Sequence, residues 1–240
     1  PKLVDCDFEF DGLLEQSKES EERELLMAGA TEFPTRFLID RSEIDDRIRE
    51  HEKHKSSADF ISSRFTWQMN SHECVCHAAT QLFETCYNRQ LFNKYITWFS
   101  PLALYTRLTG GRRWGGSNVQ HSLRVMMSEG MLPEHSGPKG PKTQKKCFKH
   151  TVHNTSGRSE DHERDGGGPW IRKGDFPDGW QKTAAHFQVL EAYYIPDRDA
   201  HASCLLHGWA LSNGRKGHSV PHMLIVKEGR RYLSKYKDSY

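Results

Sequence analysis

The first half of the chain carries apolar residues at helical spacing. The pattern predicts helices over residues 12–29, 42–55, 74–89, 100–109 and 117–129. In the strongest of these, Ala78, Leu82 and Cys86 fall on one stripe, so we expect that stripe to face the core. Ser42 and Ser100 stand before two of the other stretches and are good N-cap residues.

The last quarter of the chain has a different pattern, in which short apolar and aromatic runs alternate with turn signals. These runs predict strands over residues 186–195, 203–211, 218–226 and 231–236. Asn213-Gly214 and Glu228-Gly229 are typical turn dipeptides. Because the helices come first and the strands last, the order favours an α+β fold with an antiparallel sheet over alternating βαβ units.

Charge is uneven along the chain, although the formal net charge is only +2. Residues 1–60 hold 17 acidic and 9 basic side chains, whereas residues 61–240 hold 15 acidic and 25 basic ones. We interpret residues 1–32 as an acidic N-terminal helical arm, available to a protein partner, on a domain spanning 33–240. Residues 133–183 are rich in Gly, Pro, Lys, Ser and His, which predicts a loop-rich insertion. The small net charge argues against a nucleic-acid partner.

Composition narrows the class of protein further. The 240 residues include 12 Phe, 8 Tyr and 6 Trp, enough large side chains to build a core. No apolar run approaches the ~20 residues of a membrane span, and the first residues lack a signal-peptide pattern. Six cysteines are too few for a disulfide scaffold, so we expect free thiols in a cytoplasmic protein.

Residues 68–78 carry the most informative chemistry in the chain. Cys74 lies at the first turn of the strongest predicted helix, where the positive end of the helix dipole favours the reactive thiolate. Gln68 precedes it by six positions and could bring an amide N–H beside the same sulfur. Together with the backbone N–H of Cys74, this amide would form a two-donor oxyanion hole.

Four motifs in order give the chain a resemblance to the papain-like cysteine peptidases, especially the divergent bacterial and phage forms. That family has a glutamine, five residues and then the cysteine of the central helix, and its divergent members often read C-V-G-x-A. The matching segments here are Gln68 with Cys74-Val75-Cys76-His77-Ala78, the pair Gly115-Gly116, the strand start Gly217-His218-Ser219-Val220, and Asp238-Ser239-Tyr240 in place of N-S-W.

The resemblance implies a papain-like α+β fold, with a helical half that carries the cysteine helix and an antiparallel β-sheet half. It implies a thiol protease that hydrolyses peptide bonds of a polypeptide substrate without a cofactor. The implied catalytic residues are Cys74 as nucleophile, His218 as general base and acid, Asp238 as the group that orients His218, and Gln68 as oxyanion donor. Gly115 and Gly116 are implied to bind the substrate backbone, and Tyr240 to shield the His218–Asp238 pair from water.

A second interpretation keeps the fold without the activity. The protein would then be a structural or interaction protein with an idle site, for example a phage virion component, and the acidic arm and the long insertion favour this. Glu73 favours it too, because its negative charge opposes a thiolate at Cys74. Locally, Cys74 can also be interpreted as a buried structural thiol, and His222 competes with His218 for the role of base.

The histidines and cysteines also raise a metal alternative, since zinc sites favour these ligands. The candidate groups are Cys147 with His150, His153 and His162; His201 with Cys204 and His207; and His72 with Cys74, Cys76 and His77. None has the spacing of a standard zinc finger, and ligands around a helix start diverge. We therefore assign no metal to the chain.

The two last predicted strands form a hairpin in this interpretation. Counting outward from a turn centred near residue 228, His218 lies ten residues before it and Asp238 ten residues after it. The count predicts that the two side chains are cross-strand neighbours.

Overall fold

The computed structural model describes residues 2–5, 29–53, 73–91, 95–110, 117–138, 146–147, 176, 178–215 and 218–236. The chain divides into two compact units. The first unit consists of residues 1–60 and 191–238, and the second of residues 61–190 and 239–240.

Helices and strands both occur in each unit. The described helices are α1 (Ile44–Lys53), α2 (Cys74–Gln90), α3 (Pro101–Thr109), α4 (Val119–Ser128), α5 (Trp180–Ala184) and α6 (Arg198–Leu206), with a 3₁₀ turn at Thr35–Phe37. The described strands are β1 (Lys2–Asp5), β2 (Thr31–Glu32), β3 (Tyr95–Phe99), β4 (Pro133–Pro138), β5 (Lys146–Cys147), β6 (Tyr193–Tyr194), β7 (Leu211–Arg215), β8 (His218–Glu228) and β9 (Arg231–Tyr236). This mixture confirms the predicted α+β class. Along the described residues, no helix combines the length and apolar character needed to cross a bilayer.

The first unit is built on an antiparallel sheet with the strand order β1-β9-β8-β7. Strands β8 and β9 confirm the predictions for residues 218–226 and 231–236. Strand β1 lies at the edge, where Lys2 pairs with Tyr236. The N-terminal acidic segment therefore begins as part of a sheet, and the helix predicted over 12–29 lies outside the described residues apart from its last position.

The prediction that Asp238 lies opposite His218 was counted from the wrong turn centre. Glu228 pairs with Arg231, so the turn is centred between Gly229 and Arg230 rather than near residue 228. The register shifts again between His222 and Leu224. Asp238 itself lies outside the described residues.

Helices α1 and α6 contribute to the apolar core of the first unit. Ile44 and Ile48, which the helical spacing places on one face of α1, are each 1% exposed. The core is formed by Phe33, Ile44, Ile48, Ala200, Ala202, Cys204, Leu205, Leu211 and Ile225. The start of α1 differs from the prediction, because Ser42 does not cap it. The Ser42 backbone N–H and hydroxyl both donate to the Asp40 carboxylate, at 2.8 and 2.6 Å.

Two strand predictions in this unit are wrong. Residues 203–211 begin in helix α6, which Asp197 caps by accepting a hydrogen bond from the Ala200 N–H at 2.8 Å. Alanine and leucine favour a helix once such a cap is present. Of residues 186–195, only Tyr193–Tyr194 form a strand, and it pairs in parallel with β2. Helices and strands therefore interleave along the chain instead of following one another in two blocks.

The second unit contains the three helices that the sequence predicted over 74–89, 100–109 and 117–129. Their starts follow local chemistry. Ser100 accepts a hydrogen bond from the Ala103 N–H at 3.1 Å, with Pro101 at the first helical position. Asn118 caps α4 by accepting from the His121 N–H at 2.7 Å. Each cap satisfies an amide that the helix leaves unpaired.

Gly130 follows the end of α4 closely. Its φ angle is +82°, and a Cβ at this position would lie 2.0 Å from the carbonyl oxygen of Ala184. Only glycine allows the chain to approach α5 this closely.

A sheet with the order β3-β4-β5 completes the second unit. The loop-rich prediction for 133–183 is wrong at Pro133–Pro138, because this segment pairs antiparallel with Tyr95–Phe99, a strand that the sequence reading missed. Helix α2 contacts the backbone of β3 through side chains. Asn88 exchanges two hydrogen bonds with the Thr97 backbone, at 2.8 and 3.0 Å, and Glu84 accepts from the Phe99 N–H at 2.8 Å. The helix thus supplies bonds to β3 that a further strand would otherwise make.

Candidate active site

Cys74 is the first residue of α2, where the sequence placed it. Cys74 is half-buried, and its thiol forms no disulfide bond. Glu73 is the cap residue, and its side chain makes no capping hydrogen bond to the helix amides. The first-turn amides of this 17-residue helix are therefore not neutralised by a side-chain cap, which leaves the positive end of the helix dipole at Cys74.

The surroundings of α2 differ from the predicted apolar stripe. Leu82 and Cys86, expected in the core, are only half-buried. The buried polar side chains of the helix are instead His77, Thr80, Gln81, Glu84, Thr85 and Asn88. Polar groups are stable inside a protein when hydrogen bonds satisfy them, and Glu84 and Asn88 meet that condition through their bonds to the backbone of β3.

Glu73 and His77 form a buried pair beside the cysteine. Glu73 is 1% exposed and His77 is fully buried, and His77 Nε2 lies 3.3 Å from Glu73 Oε2. Sequence reasoning noticed the charge of Glu73 but missed its partner. The i, i+4 spacing of the two residues on a helix was the signal that could have found it.

Cys76 is a core thiol. It is fully buried, and its sulfur lies 3.9 Å from the hydroxyl oxygen of Ser117. Burial raises the pKa of the Cys76 thiol well above its usual range, and the Glu73 carboxylate adds to the rise. Cys76 is therefore protonated at neutral pH, which leaves Cys74 as the half-buried thiol at this helix start.

His218 is the first residue of β8 in the first unit, as predicted. It is half-buried, and its Cα partner on β7 is Arg215. The competing residue, His222, is fully buried, and its ring centroid lies 5.4 Å from that of His201. Of these two histidines on β8, the partly exposed His218 is the better placed to exchange protons with a substrate.

The other predicted site residues are Gln68, Gly115, Gly116, Asp238 and Tyr240, and all of them lie outside the described residues. The structure describes Cys74 and His218, each within its own unit. Both stand at the first position of the element that the sequence assigned to them.

The metal alternatives find no support among the described residues, which contain no group of three or more His, Cys, Asp or Glu side chains arranged to hold an ion. The second candidate group has other contacts. His201 Nε2 lies 3.0 Å from Ser234 Oγ, Cys204 Sγ donates to the Trp209 carbonyl at 3.6 Å, and His207 Nε2 lies 2.9 Å from the Phe37 carbonyl oxygen. In the first group, His150, His153 and His162 lie outside the described residues, as does His72 in the third.

Comparison with known proteins gives no relative. No protein-family model, no curated protein and no solved structure matches the chain. The likeness to papain-like peptidases therefore stands on the sequence motifs, and each site residue stands on its own chemistry.

Proposed function

We propose that the protein is a papain-like cysteine peptidase, which cleaves peptide bonds by way of a thiol acyl intermediate. The observation that carries the proposal is the place of Cys74, a half-buried thiol outside any disulfide at the start of a long, buried helix whose cap residue makes no side-chain cap bond. The helix dipole favours a thiolate at that point. The remaining roles follow from the sequence motifs.

The proposed reaction has two steps. Cys74 Sγ bonds to the scissile carbonyl carbon while His218 accepts the thiol proton, and the carbon–nitrogen bond breaks as His218 returns that proton to the leaving amine. Water then hydrolyses the thioester and restores the thiol. Gln68 and the Cys74 N–H donate to the developing oxyanion, and Asp238 orients the His218 ring.

In the same proposal, Gly115 and Gly116 hold the substrate backbone, and Tyr240 covers the His218–Asp238 pair. The substrate is a polypeptide, and the chemistry needs no cofactor. We place the enzyme in the cytoplasm, or in the virion if a phage encodes it, with the acidic residues of 1–32 as a contact for a protein partner.

The alternative function is a catalytically idle papain-fold protein, such as a virion component. One observation favours it: a buried carboxylate, Glu73, directly precedes Cys74. A negative charge beside a sulfur disfavours the thiolate. The two candidates therefore differ in the reactivity of one thiol.

Thiol labelling of Cys74→Ala and Cys86→Ala tests the proposal. Cys86 is a matched control, because it is the other half-buried cysteine of α2. We expect wild type and Cys86→Ala to show one thiol that iodoacetamide alkylates rapidly at pH 7, and Cys74→Ala to lack it. Peptide hydrolysis, measured on a mixed peptide library, should disappear only in Cys74→Ala, whose melting temperature should stay near wild type.

Two results would contradict the proposal, and the first of them would favour the idle protein. One is the absence of any rapidly alkylated thiol in wild type. The other is hydrolysis that persists in Cys74→Ala together with a melting temperature several degrees lower, which would make Cys74 a structural thiol.

A further inference from the structure

The buried charge at the start of α2 needs an explanation. Glu73 is 1% exposed and stands immediately before Cys74. An isolated carboxylate in a protein interior is strongly disfavoured, typically by several kcal/mol, unless a partner compensates it. As a lone charge it would also oppose the thiolate that the proposed peptidase requires.

The compensating partner is His77, one helical turn further on. Its Nε2 atom lies 3.3 Å from Glu73 Oε2, and among the described residues it is the ion-pair partner of Glu73. Cys74 follows Glu73 directly and precedes His77 by three positions. Because residues three apart are neighbours on a helix surface, the pair and the sulfur share the first turn.

We propose that Glu73 and His77 share one proton, so that the pair carries no net charge and leaves the helix dipole at Cys74 unopposed. The net charge is the same with the proton on either group. A carboxylate with an imidazolium and a carboxylic acid with a neutral imidazole both sum to zero. His77 is thus a positioning residue that acts through Glu73, and this inference rests on the proposed role of Cys74.

Cys76 lies in the same helical turn, and its thiol would respond to a net charge at Glu73. After burial, the Glu73 carboxylate is the next cause that raises the pKa of Cys76. The described charged groups around this turn also include Arg107, whose own carboxylate partner is Glu129, with Nη1 3.5 Å from Oε2. Arg107 also acts on this turn, because its charge lowers the pKa of the Cys76 thiol, although less than the Glu73 carboxylate raises it. Removing His77 should therefore expose Cys74 to the charge of Glu73, which Arg107 offsets only in part.

The test is the pH profile of Cys74 alkylation by iodoacetamide, followed by peptide mass spectrometry from about pH 5 to about pH 10. His77→Gln leaves Glu73 uncompensated, so alkylation at pH 7 should slow by about tenfold and the midpoint should rise by about one pH unit. The double variant Glu73→Gln/His77→Gln, which removes both members, should return to within about threefold of wild type.

Glu84→Gln is the matched control. Glu84 is another fully buried carboxylate of α2, but it accepts a hydrogen bond from the Phe99 N–H far from Cys74. It should lower the melting temperature without moving the midpoint. A merely structural role for His77 would give the same pattern as this control.

Different outcomes separate the two proposals. If wild-type Cys74 is reactive and His77→Gln has an unchanged midpoint, the shared-proton pair is wrong and the peptidase proposal survives. If wild-type Cys74 is unreactive, both fail. If His77→Gln does not fold, Glu73→Gln alone decides: the pair predicts a midpoint near wild type, whereas a fall of about one unit would show that Glu73 acts as an uncompensated charge.

Discussion

Helix α2 of the second unit and helix α6 of the first unit are both largely buried, yet their buried side chains are of different kinds. Helix α2 buries amide, hydroxyl and carboxyl groups that bond to neighbouring backbone. Helix α6 buries mainly Ala200, Ala202, Cys204 and Leu205. Directional bonds hold the first helix in place, whereas close packing of small and apolar side chains holds the second.

Their histidines differ in the same way. His77 on α2 has a carboxylate partner, so a positive charge on its ring is compensated. His201 on α6 contacts the Ser234 hydroxyl and the ring of His222, neither of which carries a negative charge. Burial lowers the pKa of His201 from 6.5 to about 4. Of these two histidines, the one on α2 is paired with a carboxylate, whereas burial favours the neutral form of the one on α6.

The largest effect should come from Asn88→Ala in α2. This change removes two hydrogen bonds to the Thr97 backbone inside the second unit, and we expect the free energy of unfolding to fall by about 4 kcal/mol. Urea unfolding followed by circular dichroism measures it. A loss below about 1 kcal/mol would contradict the idea that directional bonds hold α2 in place.

Lowering the pH should reduce the free energy of unfolding through His201, the histidine of α6. Because the pKa of His201 is lower in the folded protein than in the unfolded one, its contribution is fully present above pH 6.5 and is lost as the pH falls towards 4. The shift corresponds to up to about 3 kcal/mol. Urea unfolding at pH 7 and pH 4 should show this loss in wild type and a smaller one in His201→Gln.

His121→Gln on α4 is the control for this experiment, because His121 is exposed. It should keep the acid sensitivity of wild type. If the free energy of unfolding falls by the same amount on acidification in His201→Gln and in His121→Gln, the charge state of His201 does not determine the acid sensitivity of the protein.

The smallest effect should come from Ser203→Ala in α6. Its hydroxyl accepts a hydrogen bond from the Ile39 N–H at 2.9 Å, and Ile39 is only half-buried. The change removes a single hydrogen bond, so we expect a loss of about 1 kcal/mol. A loss as large as that of Asn88→Ala, in the same urea assay, would remove the contrast between the two helices.

Local signals in the sequence predicted much of the fold. Ser100 marked a helix start, because a cap depends on residues within one turn. The strands of the β8–β9 hairpin were equally readable, because its turn is short. For the same reason, Cys74 and His218 fall at the element starts assigned to them.

Features that depend on distant partners could not be predicted. Pro133–Pro138 reads as a loop, since prolines and a glycine hide a strand whose pairing with Tyr95–Phe99 the segment itself does not encode. The sequence analysis missed the buried polar face of α2, because Glu84 and Asn88 find their hydrogen-bond partners on the backbone of β3. The hairpin register failed because a shift of the turn centre by little more than one residue changes which residues face each other.

The pairing of β1 with β9 and of β2 with β6 has a consequence for the order in which the protein is made. Each N-terminal strand pairs with one more than 160 positions later, while residues 61–190 of the second unit form a continuous segment between them. A growing chain emerges from the ribosome N-terminal end first. The second unit can thus begin to fold before the partners of β1 and β2 have been made, and the sheet that carries His218 can close only after β8 and β9 have emerged.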